Sequence, residues 1–265
     1  MIRSSIAAVL FMVVTRAAAH ETWLIPEQFA VTPGTAVNLD LTSGTGFAGL
    51  DTTIEAERVT KAACRVARHS TDITTLTPAE HSLRLATTVA DPGIATVWVD
   101  LAPRRIELQP KEVEEYLDEI GASELVKQRW ALSDTKRWRE EYNKHAKTFV
   151  RVGDAATDRS WSEPVGTFLE IVPQSDPTKL VAGSDLTVVV LREGSTIPGF
   201  SVGLIREGGA RGQMQKTDAG GVATLHFDAA GRWLLYGTLL RAMPGPDLDW
   251  ESHFTTLTVE VSAAP

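Results

Sequence analysis

Apolar and polar residues alternate in short runs along most of the chain, a pattern typical of half-buried β-strands. In the first half, such runs cover residues 37–41, 82–86 and 95–99. Turn-forming pairs, among them Pro33-Gly34 and Pro92-Gly93, lie between or beside these runs. Short strands separated by turns predict an antiparallel sandwich.

The second half repeats this pattern more densely. Strand-like runs between residues 168 and 261 are separated by turns at Pro198-Gly199 and at residues 218–221. About seven short strands over roughly a hundred residues are typical of an immunoglobulin-like or prealbumin-like sandwich. A polar stretch between Asp154 and Gly166 is the expected domain break.

The segment at about residues 110–147 differs, since it is rich in Glu, Lys, Arg and Leu and has few β-branched residues. Pro110 suits the start of a helix, and Gly121 suits the end of the first one. We therefore predict a helical insert here, with His145 facing the protein. Two sets of apolar positions have helical spacing: Val113, Tyr116, Leu117 and Ile120, and then Trp138, Tyr142, His145 and Phe149.

These patterns predict a mainly β protein made of two β-sandwich domains. The first domain covers residues 20–160 and contains the helical insert, and the second covers residues 161–265. Residues 1–19 are predicted to be a signal peptide. They hold a basic start, an apolar run at 6–14 that is too short to cross a bilayer, and small residues at 17–19.

Composition narrows the classes of function. The formal net charge of -8 argues against nucleic acid as a partner, because phosphate binding needs a basic surface. The single cysteine, Cys64, allows neither an internal disulfide nor a thiolate cluster for a metal. No later stretch is apolar enough to span a membrane. We therefore expect an exported, periplasmic protein.

The predicted cleavage after Ala19 leaves His20 as the first residue. A terminal histidine offers its α-amine and ring Nδ1, which can chelate one metal ion, since the metal displaces the amine proton near neutral pH. Cleavage after Ala17 would instead place His20 third, in a square-planar set of nitrogens that suits Cu(II) or Ni(II). Cleavage after Ala18 would place it second, a weaker arrangement. His20 as an ordinary polar residue is the alternative.

Two further histidines are candidate metal ligands. His145 is predicted to point inward, and His253 begins the last strand beside Asp249 and Glu251, which are candidate partners that orient its ring. Each of the two can equally be a histidine without ligand function. The other histidines are predicted to be solvated: His69, His81 and His226.

Motifs spread over the whole mature chain resemble the DUF4198 family of exported bacterial proteins. The family is associated with a periplasmic component of cobalt or nickel uptake, so the resemblance implies metal handling. It also implies a histidine at the mature front, which His20 matches, but it implies no role for His145 or His253. The matching segments are residues 20–26, 142–148, 166–173, 217–221 and 249–258.

Three functions are consistent with the sequence. The first is a periplasmic binder of nickel, cobalt or copper, with His20, His145 and His253 as ligands and possible transfer to a membrane transporter. The second is an oxidative enzyme with a copper brace, which would need an exposed aromatic surface for a polysaccharide. The third is a non-catalytic envelope protein whose C-terminal sandwich docks a partner. We favour the first.

Overall fold

The computed structural model describes residues 21–264, which form a mainly β fold with two short α-helices. The predicted fold class is therefore confirmed. The strands before the helices are β1 (Glu21–Pro26), β2 (Ala30–Val31), β3 (Ala36–Gly44), β4 (Thr52–Thr53), β5 (Val59–Val66), β6 (His69–Asp72), β7 (Thr75–Pro78), β8 (Leu83–Thr88) and β9 (Gly93–Leu108). The helices are α1 (Pro110–Glu119) and α2 (Glu124–Ala131). After them come β10 (Trp138–Val152), β11 (Leu169–Pro173), β12 (Ser184–Arg192), β13 (Ser195–Thr196), β14 (Ser201–Arg206), β15 (Gln215–Lys216), β16 (Val222–Phe227), β17 (Gly231–Ala242) and β18 (Trp250–Val261).

A nine-stranded sheet forms the centre of the fold. Its strands follow the order β15-β14-β17-β18-β10-β9-β5-β6, and β2 adds to β10. The pairing of β10 with β18 is parallel, whereas β10 with β9 and β17 with β18 are antiparallel. Parallel neighbours need a long crossover, and here the crossover contains all the strands from β11 to β17.

Two smaller sheets cover opposite faces of the central sheet. Ala146 and Val150 of β10 pack with Leu39 of β3, in the five-stranded sheet β1-β3-β8-β7 with β4. Phe149, which points the other way, packs with Val188 of β12, in the four-stranded sheet of β11, β12, β13 and β16. Since successive side chains of a strand point to opposite faces, β10 contributes to both hydrophobic cores.

The helical insert is shorter than predicted. Helices α1 and α2 confirm the first part, and Ser123 caps α2 by accepting a hydrogen bond from the Val126 N–H at 3.4 Å. The helix predicted through Trp138, Tyr142, His145 and Phe149 is wrong, because these residues lie on strand β10. β10 is flanked by β9 and β18 along most of its length, and this pairing overrides the helical propensity of its charged residues.

The two-domain division near residue 160 stays a prediction. Strands from both sides of that point share the central sheet: β5, β6, β9 and β10 precede it, and β14, β15, β17 and β18 follow it. Within residues 21–264, neither α1 nor α2 nor any other helix is long and apolar enough to cross a membrane.

A buried ion pair joins the central sheet to the four-stranded sheet. Lys147 Nζ of β10 lies 2.7 Å from Glu170 Oε1 of β11, and the two side chains are 6% and 2% exposed. Glu170 also accepts hydrogen bonds from the backbone N–H groups of Val165, at 2.9 Å, and Gly166, at 3.1 Å. Burial lowers the pKa of Lys147, and the Glu170 carboxylate opposes that shift.

We expect Lys147→Met to lower the free energy of unfolding by about 3–5 kcal/mol, because it leaves the Glu170 carboxylate buried without its cation. Urea unfolding at pH 7 measures this change. Lys61→Met is the matched control, since the Lys61–Asp72 pair is exposed, and it should cost less than about 1 kcal/mol. Equal losses in the two variants would contradict the assignment of Lys147–Glu170 as a buried, mutually dependent pair.

Candidate functional site

His145 and His253 lie on adjacent strands and face the same side of the central sheet. His145 is opposite Thr255 in the parallel register of β10 and β18, and His253 is opposite Asn143. Residues two apart along a strand share a face, so the two rings are diagonal neighbours. Both residues are buried, at 8% and 6% exposure.

The two imidazole rings point at each other. His145 Nε2 lies 3.2 Å from His253 Nδ1, the ring planes differ by 8°, and the ring centroids are 5.5 Å apart. The distance between the ring centroids exceeds the distance between the two nitrogens by about two imidazole ring radii. The two nitrogens therefore lie nearly on the line that joins the ring centroids. This is the geometry of one N–H···N hydrogen bond.

Asp100 fixes which nitrogen of His145 carries the proton. It lies directly opposite His145 in the antiparallel register of β9 and β10, and its Oδ1 is 2.6 Å from His145 Nδ1. His145 Nδ1–H therefore donates to the carboxylate, and the Nε2 of a neutral His145 accepts from His253 Nδ1–H. Both ring nitrogens of His145 are engaged in this arrangement.

The remaining nitrogen of the pair, His253 Nε2, is buried and accepts or donates no hydrogen bond among the described residues. Glu251 Oε1 lies 3.6 Å away, beyond hydrogen-bond distance. Arg241 Nε donates to the other carboxylate oxygen of Glu251 and holds that side chain in place. Phe168 stacks on the His253 ring, with centroids 3.7 Å apart. His253 therefore presents one unused nitrogen toward an anchored carboxylate.

The pKa of His253 is lowered to about 4. Burial is the largest cause, and the charge of the neighbouring His145 acts in the same direction, whereas the Glu251 carboxylate opposes the shift. The His253 ring is therefore neutral at neutral pH, and its Nε2 lone pair is available to a ligand without loss of a proton.

The front of the described chain lies on the other face of the central sheet. Thr22 O accepts a hydrogen bond of 2.6 Å from Thr256 Oγ1, and Thr256 points away from the face that carries His253. Glu21 is buried next to Lys144 and Arg211, and its Oε1 is 3.2 Å from Arg211 Nη1. His20, the third predicted ligand, lies outside the described residues.

The structure thus brings His145 and His253 together, although the prediction placed His145 on a helix. Of the two acids predicted to orient His253, Glu251 lies beside the ring. Asp249 does not, because it pairs with Arg139 at 3.1 Å and Arg137 at 3.2 Å. Within residues 21–264, no group of three or more His, Cys, Asp or Glu side chains is arranged to hold a metal ion. His253 and Glu251 form a pair only.

Sequence reasoning did not single out Asp100 or Phe168. Asp100 carried a usable signal, because it alternates with Val99 and so points to the face opposite that apolar residue. Its partner could not be known without the register of β9 and β10. Phe168 had no signal beyond its aromatic ring.

Folding stability should depend on pH through His253. Its folded pKa of about 4 lies below the unfolded value of 6.5, so between these values the unfolded chain binds more protons. The contribution of His253 to the free energy of unfolding is fully present above about pH 6.5. It is lost as pH falls toward 4, by on the order of 3 kcal/mol. Urea unfolding at about pH 7 and pH 4.5 should show a smaller loss in His253→Gln than in the parent protein.

The control for this measurement is His81→Gln, which changes an exposed histidine. It should keep the pH dependence of the parent. If His253→Gln also keeps the pH dependence of the parent, burial does not hold the His253 ring neutral.

Comparison with known proteins gives one family and little else. Among curated proteins, none matches the chain. One similar solved structure is the adhesin InvE of Yersinia pseudotuberculosis, at 12% identity, with 90% of this chain and 58% of that chain covered and a TM-score of 0.22. A likeness of that size carries no argument about fold or function. The family model described as Domain of unknown function (DUF4198) matches residues 17–238. Because the match covers well over half of the chain, the protein belongs to the DUF4198 family.

Proposed function

We propose that this protein is an exported, periplasmic binder of a divalent transition metal, nickel, cobalt or copper, which supports uptake or handling of that metal. One observation carries the proposal. The Nε2 of His253 is buried, lacks a hydrogen-bond partner among the described residues, and faces the Glu251 carboxylate at 3.6 Å. A buried polar nitrogen without a partner is costly, and a cation between it and the carboxylate would remove that cost.

The separation of the two atoms suits a metal ion. An ion bonded at about 2.1 Å to both His253 Nε2 and Glu251 Oε1, which are 3.6 Å apart, would have an angle of roughly 120° between them. A ligating histidine usually donates its other ring N–H to a carboxylate or carbonyl, which fixes its orientation. His253 instead donates to His145, which in turn donates to Asp100.

We therefore assign His253 and Glu251 as direct ligands and His145 as the residue that positions His253. Direct ligation by His145 would require one of its two hydrogen bonds to break. His20 remains part of the proposal as a candidate ligand through its α-amine and ring. Because Thr22 contacts the face of the central sheet opposite His253, the contribution of His20 is measured separately, by its own variant. Imidazole suits nickel, cobalt and copper, and the general affinity order favours copper.

Burial of the two rings supports a binding role over the copper-brace enzyme. At 8% and 6% exposure, neither His145 nor His253 offers the open surface on which a polysaccharide chain could lie. Transfer to a membrane transporter is the corresponding proposal for the partner. The envelope-docking role remains the alternative if metal binding fails.

Calorimetric titration of the mature protein with Ni²⁺, Co²⁺ and Cu²⁺ tests this function. We expect His253→Gln to lower affinity at least about 100-fold, because it removes the ring nitrogen of the His145–His253 pair that has no hydrogen-bond partner among the described residues. His145→Phe should lower affinity about 10–100-fold by releasing the orientation of His253. The affinity of Glu251→Gln should lie between the affinities of the parent protein and of His253→Gln. Mass spectrometry of the exported protein establishes whether His20 is its first residue, and His20→Ala measures its share.

His81→Ala is the matched control, because His81 Nε2 is 3.4 Å from Glu80 Oε1 in a similar pair that is exposed. It should bind metal like the parent protein. Circular dichroism of each variant confirms that the fold is kept. If the parent binds none of the three metals, or if His253→Gln binds as tightly as the parent, the proposed function is wrong.

A further inference from the structure

Strand β16 has one open edge. It pairs with β12, and no other described strand pairs with it. The Val190 N–H donates to Gly221 O at 2.9 Å at the start of this pairing. In an antiparallel ladder, hydrogen-bonded positions alternate, so Ala223 and Leu225 turn their backbone groups toward β12. The N–H and C=O groups of Thr224 and His226 consequently face the open edge.

This edge has none of the usual protection against pairing with another chain. Edge strands are commonly protected by lysine, proline, a bulge or very short length. β16 is six residues long, regular, and has neither lysine nor proline. Three other edge strands have such features: β11 and β7 end in Pro173 and Pro78, and β15 has only two residues, one of them Lys216. The edge strand β6 has neither lysine nor proline, but it is only four residues long.

A cleft of about 680 Å³ borders the open edge. Thr224, Leu225 and His226 form one wall, and Leu204 and Gln213 lie among the residues of the other. The buried Leu225 and half-buried Leu204 make the inner side apolar, whereas Thr224 and His226 are exposed. A strand added to β16 would therefore have one apolar and one polar side.

The charges at the outer side favour a basic partner. Asp185 and Asp228 line the cleft, and Asp185 Oδ1 is 2.6 Å from His226 Nδ1. Among the described residues that line the cleft, the one arginine is Arg206, which donates to the Ala230 carbonyl through Nε, at 3.1 Å, and Nη2, at 2.7 Å. The carboxylates there thus outnumber the cations, in a chain that carries a net charge of -8.

We propose that the open edge of β16 binds an extended segment of a partner protein as an additional strand. Apolar side chains of that segment face Leu204 and Leu225, and the alternating basic side chains lie near Asp185 and Asp228. Main-chain hydrogen bonds to Thr224 and His226 hold the segment in register, as in other cases of β-strand addition. This proposal is independent of metal binding, since it uses neither His145 nor His253.

The probe is a set of short peptides in which valine alternates with lysine, titrated into the full mature protein. The expected result is binding together with slower hydrogen exchange at the Thr224 and His226 amides. Peptides of the same composition with valines and lysines in separate blocks should bind at least about tenfold more weakly. N-methylation of every second peptide amide should abolish binding when the methylated amides are those that pair with β16. It should leave binding intact when the methylated amides are the others, which point away from β16.

Two substitutions in β16 test the register. Thr224→Pro removes an N–H that faces the cleft, so the fold should persist while peptide affinity falls at least about tenfold. Thr224→Val keeps that N–H and is the matched control, which should bind like the parent. Ala223→Pro removes an N–H that faces β12, and it should lower the unfolding midpoint far more than Thr224→Pro does.

Several results would overturn the proposal. One is that no alternating peptide binds at up to about 1 mM. Another is that alternating and block peptides bind equally well, and a third is that Thr224→Pro binds the peptides as tightly as the parent protein. Protection of the Thr224 and His226 amides without peptide, together with dimers in sedimentation experiments, would assign the edge to a second copy of this chain instead.

Discussion

The fold depends on the parallel pairing of β10 with β18. This pairing joins Glu140–Thr148 to Trp250–Thr258 and brings together segments that are more than a hundred residues apart in sequence. It joins the two halves of the central sheet, which has hydrophobic cores on both of its faces. It also brings His145 next to His253, so the candidate site exists only where these two strands meet.

The same pairing buries several charged residues of β10, and each of them has partners in another element. Glu140 accepts hydrogen bonds from Tyr116 of α1 at 2.8 Å, from Trp138 at 2.7 Å, and from Ser252 of β18. Lys147 pairs with Glu170 of β11. Because a buried charge without a partner is strongly destabilising, these contacts hold β10 in one register against its neighbours. The insert α1 is thereby tied to the strand that carries His253.

Local patterns were sufficient for most strands and for α1, where spacing and end signals agree with the observed elements. They failed from residue 138 onward, where a segment rich in charged residues, with Trp138, Tyr142 and His145 at helical spacing, favours a helix. The strand there is stabilised by β9 and β18, and neither contact is visible in a local window of sequence. The proximity of His145 and His253 was predicted as part of a hypothesis about function. The contacts of Asp100 and Phe168 with these rings depend on strand register and loop packing, which no local pattern encodes.

The orientation of His253 is set by contacts on three sides, and this limits how an ion could reach it. His145 fixes Nδ1, the strand β18 fixes the backbone, and the Phe168 ring covers one face of the imidazole at 3.7 Å. Phe168, unlike His145, lies outside the strands of the central sheet, immediately before β11. It is only partly buried, so displacement of its ring requires less loss of packing than separation of β10 from β18. Under the proposed function, an ion would enter on the side of Phe168, while the paired strands keep Nε2 of His253 and the Glu251 carboxylate in position.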